Sequence, residues 1–190
     1  MKPQKRETLL SYPVKEHGTF LATRAKGAET RQALEGQLVD AVPIALLIID
    51  FGGVEAMTNS FVDEFLGKFY LLLAAGDIHA DGVRLAGLDE ETREGVTVCL
   101  ERRKQIAVDG DTYELLGDAA LLTDTYAQAR QLGDFRATQL AEALGISLPN
   151  ANNRLKKLVE AGALYRERAS GPDRGGKEYT YRQPRSGARD

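Results

Sequence analysis

Hydrophobic positions change their period several times along the chain, and each change predicts an element. Over residues 19–24 (TFLATR), Phe20, Ala22 and Arg24 alternate with Leu21 and Thr23, the two-residue period of a short strand. Over 25–41 the apolar Ala33, Leu34, Leu38 and Ala41 recur at steps of three and four, leaving Glu29, Arg31, Glu35 and Gln37 for water. Pro43, which lacks an amide proton and restricts the residue before it, closes that helix. Residues 44–51 (IALLIIDF) form a continuous apolar run, too short for a buried helix and bounded by Pro43 and Gly52-Gly53; this predicts a central strand covered on both faces. A loop (GGVEAMTN) leads to Ser60, which with Asp63 three residues on makes a capping-box pattern with Asp in place of Glu. Phe61, Phe65, Leu66, Phe69 and Leu73 then share one wide apolar face of a helix ending near Gly76. A strand at 83–85 is followed by a helix over 89–104, with acids in its first turn and Arg102, Arg103 and Lys104 in its last, as the helix dipole favours. Strands alternating with helices predict an α/β layer structure with a partly parallel sheet.

The pattern weakens over 106–118, where VDGD is a turn signal between short runs, and this stretch is taken as a connector between two modules. A helix over 119–132 precedes a different organisation. ATQLAEAL (137–144) is a short amphipathic helix, Gly145 supplies a turn, and Ser147 caps a further helix whose first turn accommodates Pro149 and which stops at Gly162. Helix, tight glycine turn, helix is a helix-turn-helix layout. ALYRERA and EYTYR follow as two alternating segments separated by SGPDRGGK, a hairpin with a glycine-rich tip.

The features LAEALGIS, NNRLKKLVEAGALYRER, the basic glycine-rich tip and EYTYR resemble the winged helix-turn-helix domain of bacterial regulators, the MarR-like and ArsR-like families among them. The resemblance covers about fifty residues and implies an α+β winged helix over 119–184, with 185–190 as a tail. At 100° per residue from Leu155, the apolar Leu148, Ala151, Leu158, Val159 and Gly162 fall within about 60° of zero and are assigned to the core. The opposite face carries Asn150, Asn153 and Lys157, flanked by Arg154 and Lys156. An Asn amide can bind an adenine edge bidentately and Arg can read guanine, so Asn150, Asn153 and Arg154 are the candidate base readers. Lys156, Lys157 and the wing residues Arg168, Arg174 and Lys177 are the candidate contacts to the DNA backbone.

The front segment IALLIIDFGGVEAMTNSFVDEF resembles the core motif of STAS domains, and more closely a STAS-like family carrying a strand, D-F-x-x-V, a polar turn and S-F-x-D-E. The matching residues are Asp50, Phe51, Val54, Ser60, Phe61, Asp63 and Glu64, and the match spans roughly 19–105, behind a polar leader at 1–18. The resemblance implies a small α/β module with a mixed sheet and helices that binds regulatory partners, some of which are histidine-kinase-like ATPases. It also implies a switch by phosphorylation at the start of the helix after this strand. Asn59 occupies the usual acceptor place here, which leaves Thr58 and Ser60 as the candidate acceptors. Dipole and free amides favour a phosphate at a helix N-terminus, whereas Asp63 and Glu64 repel it; a structural reading, in which Ser60 caps and Thr58 turns, explains both residues without a switch.

Composition narrows the function classes. With 43% apolar and 28% charged residues the chain is an ordinary globular one, and no apolar run approaches the roughly 18–20 residues of a membrane span. No apolar segment follows Lys2, Lys5 and Arg6, so a secretory signal is not expected and a cytoplasmic location is. One cysteine, Cys99, and two histidines, His17 and His79, are too few for a zinc site, and no nucleophile, phosphate-loop or kinase motif accompanies them; neither enzyme activity nor a cofactor is expected. The net charge of −3 conceals an asymmetry: 14 Lys and Arg against 22 Asp and Glu up to residue 134, then 11 against 6. An acidic front and a basic rear predict modules with different partners, double-stranded DNA for the rear one. The reading is a DNA-binding transcriptional regulator, expected to be a homodimer because one winged helix reads only a half-site. The alternative is a protein-interaction adaptor in a partner-switching circuit, with the winged helix as a docking surface.

Overall fold

The computed structural model describes residues 8–40, 43–168 and 178–185. Its front half is built on a three-stranded parallel sheet in the order β1 (Thr8–Pro13), β3 (Ile44–Asp50), β5 (Val83–Ala86). The register sets Leu10 against Leu47, Tyr12 against Ile49, and Ile49 against Leu85. Leu47, Ile49, Val83 and Leu85 belong to the front core beneath the helices. Leu46, Ile48, Arg84 and Ala86 line a cleft on the opposite face, as the two-residue period requires. The unbroken apolar run of β3 therefore has two different environments, a packed core on one face and a cleft toward the rear module on the other.

The polar leader proposed for 1–18 is corrected in part: residues 8–13 are the edge strand β1, and a single 3-10 turn (Val14–His17) follows. TLLSYP has no distinctive local pattern, and it becomes a strand by pairing in parallel with β3. Tyr12 locks the turn, its hydroxyl donating to the carbonyl of Thr30 and standing 2.6 Å from His17 Nε2. β2 is shorter than expected (Phe20–Leu21) and pairs with β4 (Ala56–Met57), and α1 (Arg24–Asp40) follows it.

The helix after β3 is one run of helical backbone with a π turn at its centre: α2 (Asn59–Val62), the π segment (Asp63–Gly67) and α3 (Lys68–Ala75). Its cap is Thr58, not the expected Ser60. Thr58 has extended backbone, its Oγ1 accepts from the Phe61 amide at 3.3 Å, and the same hydroxyl donates to Ala22 O at 2.6 Å. Asp63 is consequently free of capping and takes a fork from Arg103, Nε to Oδ1 at 2.6 Å and a terminal nitrogen to Oδ2 at 3.0 Å, with Arg24 at 3.1 Å. The hydrogen bond from Arg103 holds the Asp63 carboxyl below its ordinary pKa, with Arg24 adding to it. A depressed carboxylate stabilises the fold above the ordinary carboxylate range, and that contribution is lost as pH falls from there through the lowered pKa of the folded state. Asp63→Asn is expected to cost about 1–3 kcal/mol at neutral pH, as for a hydrogen-bonded charge partner. Urea unfolding of both proteins should show the difference narrowing in acid.

α4 (Glu90–Arg102) starts at Asp89, whose carboxylate accepts from the Thr92 amide while the Thr92 hydroxyl faces the Asp89 amide, a reciprocal cap. The connector proposed for 106–118 is also corrected. It is an antiparallel hairpin of β6 (Ile106–Val108) and β7 (Leu115–Gly117), joined to the front sheet by a bridge between Leu85 and Asp109. Ala107 and Leu116 pack into the front core, whereas Ile106 and Val108 pack into the rear one. A linker would expose its backbone; this segment is shared between both cores. Asp109, buried and ion-paired with Arg93, closes the hairpin by accepting from the Asp111 and Thr112 amides.

The rear half begins with α5 (Thr123–Leu132), shorter at its start than the expected 119–132. β8 (Phe135–Arg136), α6 (Ala137–Leu144), α7 (Leu148–Glu160), β9 (Tyr165–Arg168) and β10 (Tyr179–Arg182) complete it. Its antiparallel sheet has the order β8-β10-β9, and the Phe135 and Tyr181 rings stack at 5.8 Å. Around that pair gather Leu140, Leu155, Leu158 and Leu164.

The two halves touch through the segment that ends α7. The Val83 amide donates to Gly162 O at 3.1 Å, and the guanidinium of Arg84, 6% exposed, donates to Gly162 O at 3.0 Å and Ala163 O at 3.3 Å. Gly82 lies directly against Pro184. No helix among the described residues is long and apolar enough to cross a membrane.

Candidate nucleic-acid interface

The interface is built on α7 and the way α6 presents it. Gly145 ends α6 in the left-handed region at φ +63°, Ser147 turns extended, and its hydroxyl accepts from the Asn150 amide at 3.4 Å. Pro149 stands in the first turn, where no intrahelical donor is lost. Ala151, Leu155 and Leu158 are fully buried against α6 and the sheet, which fixes the rotation of the helix. Leu148, assigned to the core by its angular position, is 42% exposed: it precedes the turn at which the helix meets its neighbours.

That rotation leaves Asn150, Asn152 and Asn153 exposed along the first half of α7, and Lys156 exposed just past its midpoint. Asn152 was not among the residues singled out in the sequence, because at 60° from the core centre it lies at the edge of the apolar sector. Arg154 is half-buried and turned back into the protein, donating from Nε to Asn150 Oδ1 and from a terminal nitrogen to Thr125 Oγ1, both at 3.0 Å. This ties the helix to α5 and holds the Asn150 side chain in place, so Arg154 positions a candidate reader.

Lys156 lies 3.7 Å from Glu160, an exposed i, i+4 pair that leaves its ammonium largely hydrated. Lys157 is exposed but sits where the far end of α7 meets α3, on the rim of a crevice of about 190 Å³ shared with Tyr70, Ala74 and Glu160. The front module therefore approaches the second half of α7 and leaves the first half clear. On the hairpin, Arg168 is exposed at the end of β9. Arg166 and Arg182 lie over the rings of Tyr179 and Tyr165, at 4.9 and 4.5 Å from their centroids, stiffening the strands that carry the tip. Arg174 and Lys177 lie outside the described residues.

In the front module Thr58 and Ser60 are both exposed. The Thr58 hydroxyl is engaged at both its donor and acceptor sides, as described above, while Asp63 three residues beyond Ser60 is occupied by arginines. Among the described residues no group of three or more His, Cys, Asp or Glu side chains could hold a metal ion.

Compared with known proteins, residues 137–164 match a family model described as winged helix-turn-helix DNA-binding. The match begins with α6 and ends at Leu164, just past α7, and so contains the turn, the exposed amides and the glycine that stops α7. No curated protein and no solved structure matches the chain.

Proposed function

We propose that the chain is a transcriptional regulator that grips duplex DNA with the first half of α7 and the hairpin behind it, while its STAS-like front module supplies the signal. The observation that carries this reading is the bare stretch from Asn150 to Lys156. It presents three carboxamides and a lysine with no carboxylate among them, on a helix whose rotation is fixed by three buried residues. Amides of this kind suit base edges in a major groove, and the lysine suits phosphate. A homodimer would place two such helices on a two-fold operator, one per half-site.

Duplex binding measured across a salt series tests it. The affinity should fall steeply with salt, and Lys156→Gln should lower the slope by about one unit while weakening all sequences alike. Asn153→Ala should instead change sequence preference, by about 1–3 kcal/mol at one base pair, because a bidentate amide contact is lost. A purified protein that binds no duplex at low salt would overturn the reading.

A second reading is favoured by one feature of the front module. Phe20, 69% exposed, lies on β2, which pairs with β4 directly before the exposed Thr58 and Ser60, so an apolar ring and two exposed polar residues stand on neighbouring segments. This arrangement suits a regulatory protein partner, such as a histidine-kinase-like ATPase, with the chain acting as an adaptor. A heteromeric complex that persists in salt strong enough to strip DNA, and that is lost on Phe20→Ser, is its signature.

A further inference from the structure

A cavity lies between the modules. It has a volume of about 800 Å³, within the range of small-molecule sites, and opens to solvent on one side. Its floor is the back face of the parallel sheet, with Leu46, Ile48 and Ala86. Three features of its walls go beyond simple packing of one module on another.

First, Arg84 places a nearly buried cation there. Its hydrogen bonds end on uncharged oxygens: Val83 O at 2.7 Å, Gly162 O, Ala163 O, and Gln183 Oε1 at 3.4 Å. Two bonds on each terminal nitrogen use up the protons there, so Arg84 acts on a ligand through its charge. Second, Gln183 is a donor without an acceptor. Its Oε1 takes bonds from Arg84 and from the Tyr126 hydroxyl at 3.3 Å, while its Nε2 is buried with no partner. A buried amide proton left so costs free energy, so the wall that carries Gln183 is not optimised for packing alone. Third, Arg130 from α5 stands over the opposite wall with its guanidinium carbon 4.7 Å from the centre of the Tyr113 ring. Tyr113 itself is held at φ +60°, a backbone conformation rarely adopted by an aromatic residue.

Burial lowers the pKa of Arg84, and the charge of Arg130 lowers it further, so the two cations feel each other. Asp111, also on the wall, contributes one negative charge, and its carboxylate already accepts from the Gly87 amide at 2.8 Å. Two cations and one anion leave a single positive charge over an apolar floor. That balance suits a monoanion with a hydrocarbon body better than a phosphate dianion, which Asp111 would repel.

We infer that the cleft between the modules is a binding site for a small organic monocarboxylate, whose carboxylate takes Arg130 beside the charge of Arg84 while its body lies on Leu46, Ile48 and Ala86. The regulatory half of this inference rests on the DNA reading above. Arg84 and Gln183 are joined to one another; Arg84 holds the carbonyls that end α7, and Gln183 directly follows β10. A carboxylate at that junction would act on the recognition helix and on the root of the hairpin together.

Methyl-resolved NMR of the full chain, titrated with benzoate and hexanoate and in parallel with benzamide and hexanamide, tests the site. The Leu46 and Ile48 methyl signals should shift saturably with the acids and not with the amides. Arg130→Gln, an exposed change away from both cores, should weaken acid binding at least about fivefold, as expected for loss of a charged donor. Asp111→Asn, which keeps an oxygen for Gly87, should tighten it. Equal responses to acid and amide, or no response of these methyls to either acid, would overturn the assignment. Duplex affinity measured with and without the bound acid separates the two claims. A change in affinity supports the regulatory half, and an unchanged affinity refutes it. A sample that takes the acid and never binds duplex refutes the DNA reading and leaves the cleft assignment standing.

Discussion

Arg84→Ala is expected to lower the stability of the chain by about 3–5 kcal/mol, because each buried acceptor left unpaired costs about 1–3 kcal/mol and the lost side chain leaves a void. For a chain of this length that corresponds to a fall in midpoint of about 10 °C. The guanidinium holds Gly162 O, Ala163 O and Gln183 Oε1, which belong to the rear module, from a strand of the front one. Truncation removes these bonds together and leaves acceptors buried beside a void where the side chain was. The loss should appear at the boundary between the modules. Thermal unfolding that is a single transition in the parent should broaden or divide, and protease should gain access near 82–84 and 162–164. Arg84→Met keeps most of the apolar stem and discards only the charge and donors. It should cost less, since burying a charge is itself expensive. If Arg84→Ala melts with the parent, the guanidinium is not what joins the two halves.

The importance of Arg84 could not be read from its neighbours in sequence. In VRLA, a cation between two apolar residues fits a half-exposed strand, with Arg turned to water. Its acceptors lie 78 and 79 residues further on, and only the closure of the rear module over the sheet buries it. The same reason accounts for β1 and for the β6–β7 hairpin. Each is short and weakly patterned, and each is specified by a distant partner: Leu10 by Leu47, Ala107 by the front core and Ile106 by the rear. Elements whose signal is local were legible. The apolar run of β3 and the caps around Gly145, Ser147 and Gly162 stand where their residues predicted, within one residue. At the candidate interface the rotation of α7 followed from Ala151, Leu155 and Leu158. What the pattern could not supply was the conformation of Arg154, which depends on Thr125 in another helix, or the approach of α3 to Lys157. The shift of the cap from Ser60 to Thr58 belongs to the ordinary uncertainty of one or two residues at helix ends.

Gly162 and Gly145 form a matched pair that separates a capping role from a docking role. Both lie in the left-handed region at nearly equal φ, +65° and +63°, each just past the end of a helix of the rear module. An alanine at either pays the same backbone penalty, about 1 kcal/mol for a non-glycine residue in that conformation. Their surroundings differ. A Cβ on Gly145 would meet nothing within 4 Å, whereas one on Gly162 would stand 2.9 Å from the Val83 amide nitrogen and 3.0 Å from Val83 Cγ2. The nitrogen cannot yield without breaking its bond to Gly162 O and moving β5, so crowding of about 1–3 kcal/mol adds to the backbone term. Gly145→Ala should therefore unfold close to the parent, and Gly162→Ala well below it, with a total loss of about 2–4 kcal/mol. In the docked protein the whole difference is located at the seam between α7 and β5. A further substitution of Val83 by alanine, which removes Cγ2 but not the amide, should recover only the part due to the side chain. Equal losses at the two glycines would mean that the seam is loose enough to absorb a methyl group, and that α7 is not held by the front module through the turn that follows it.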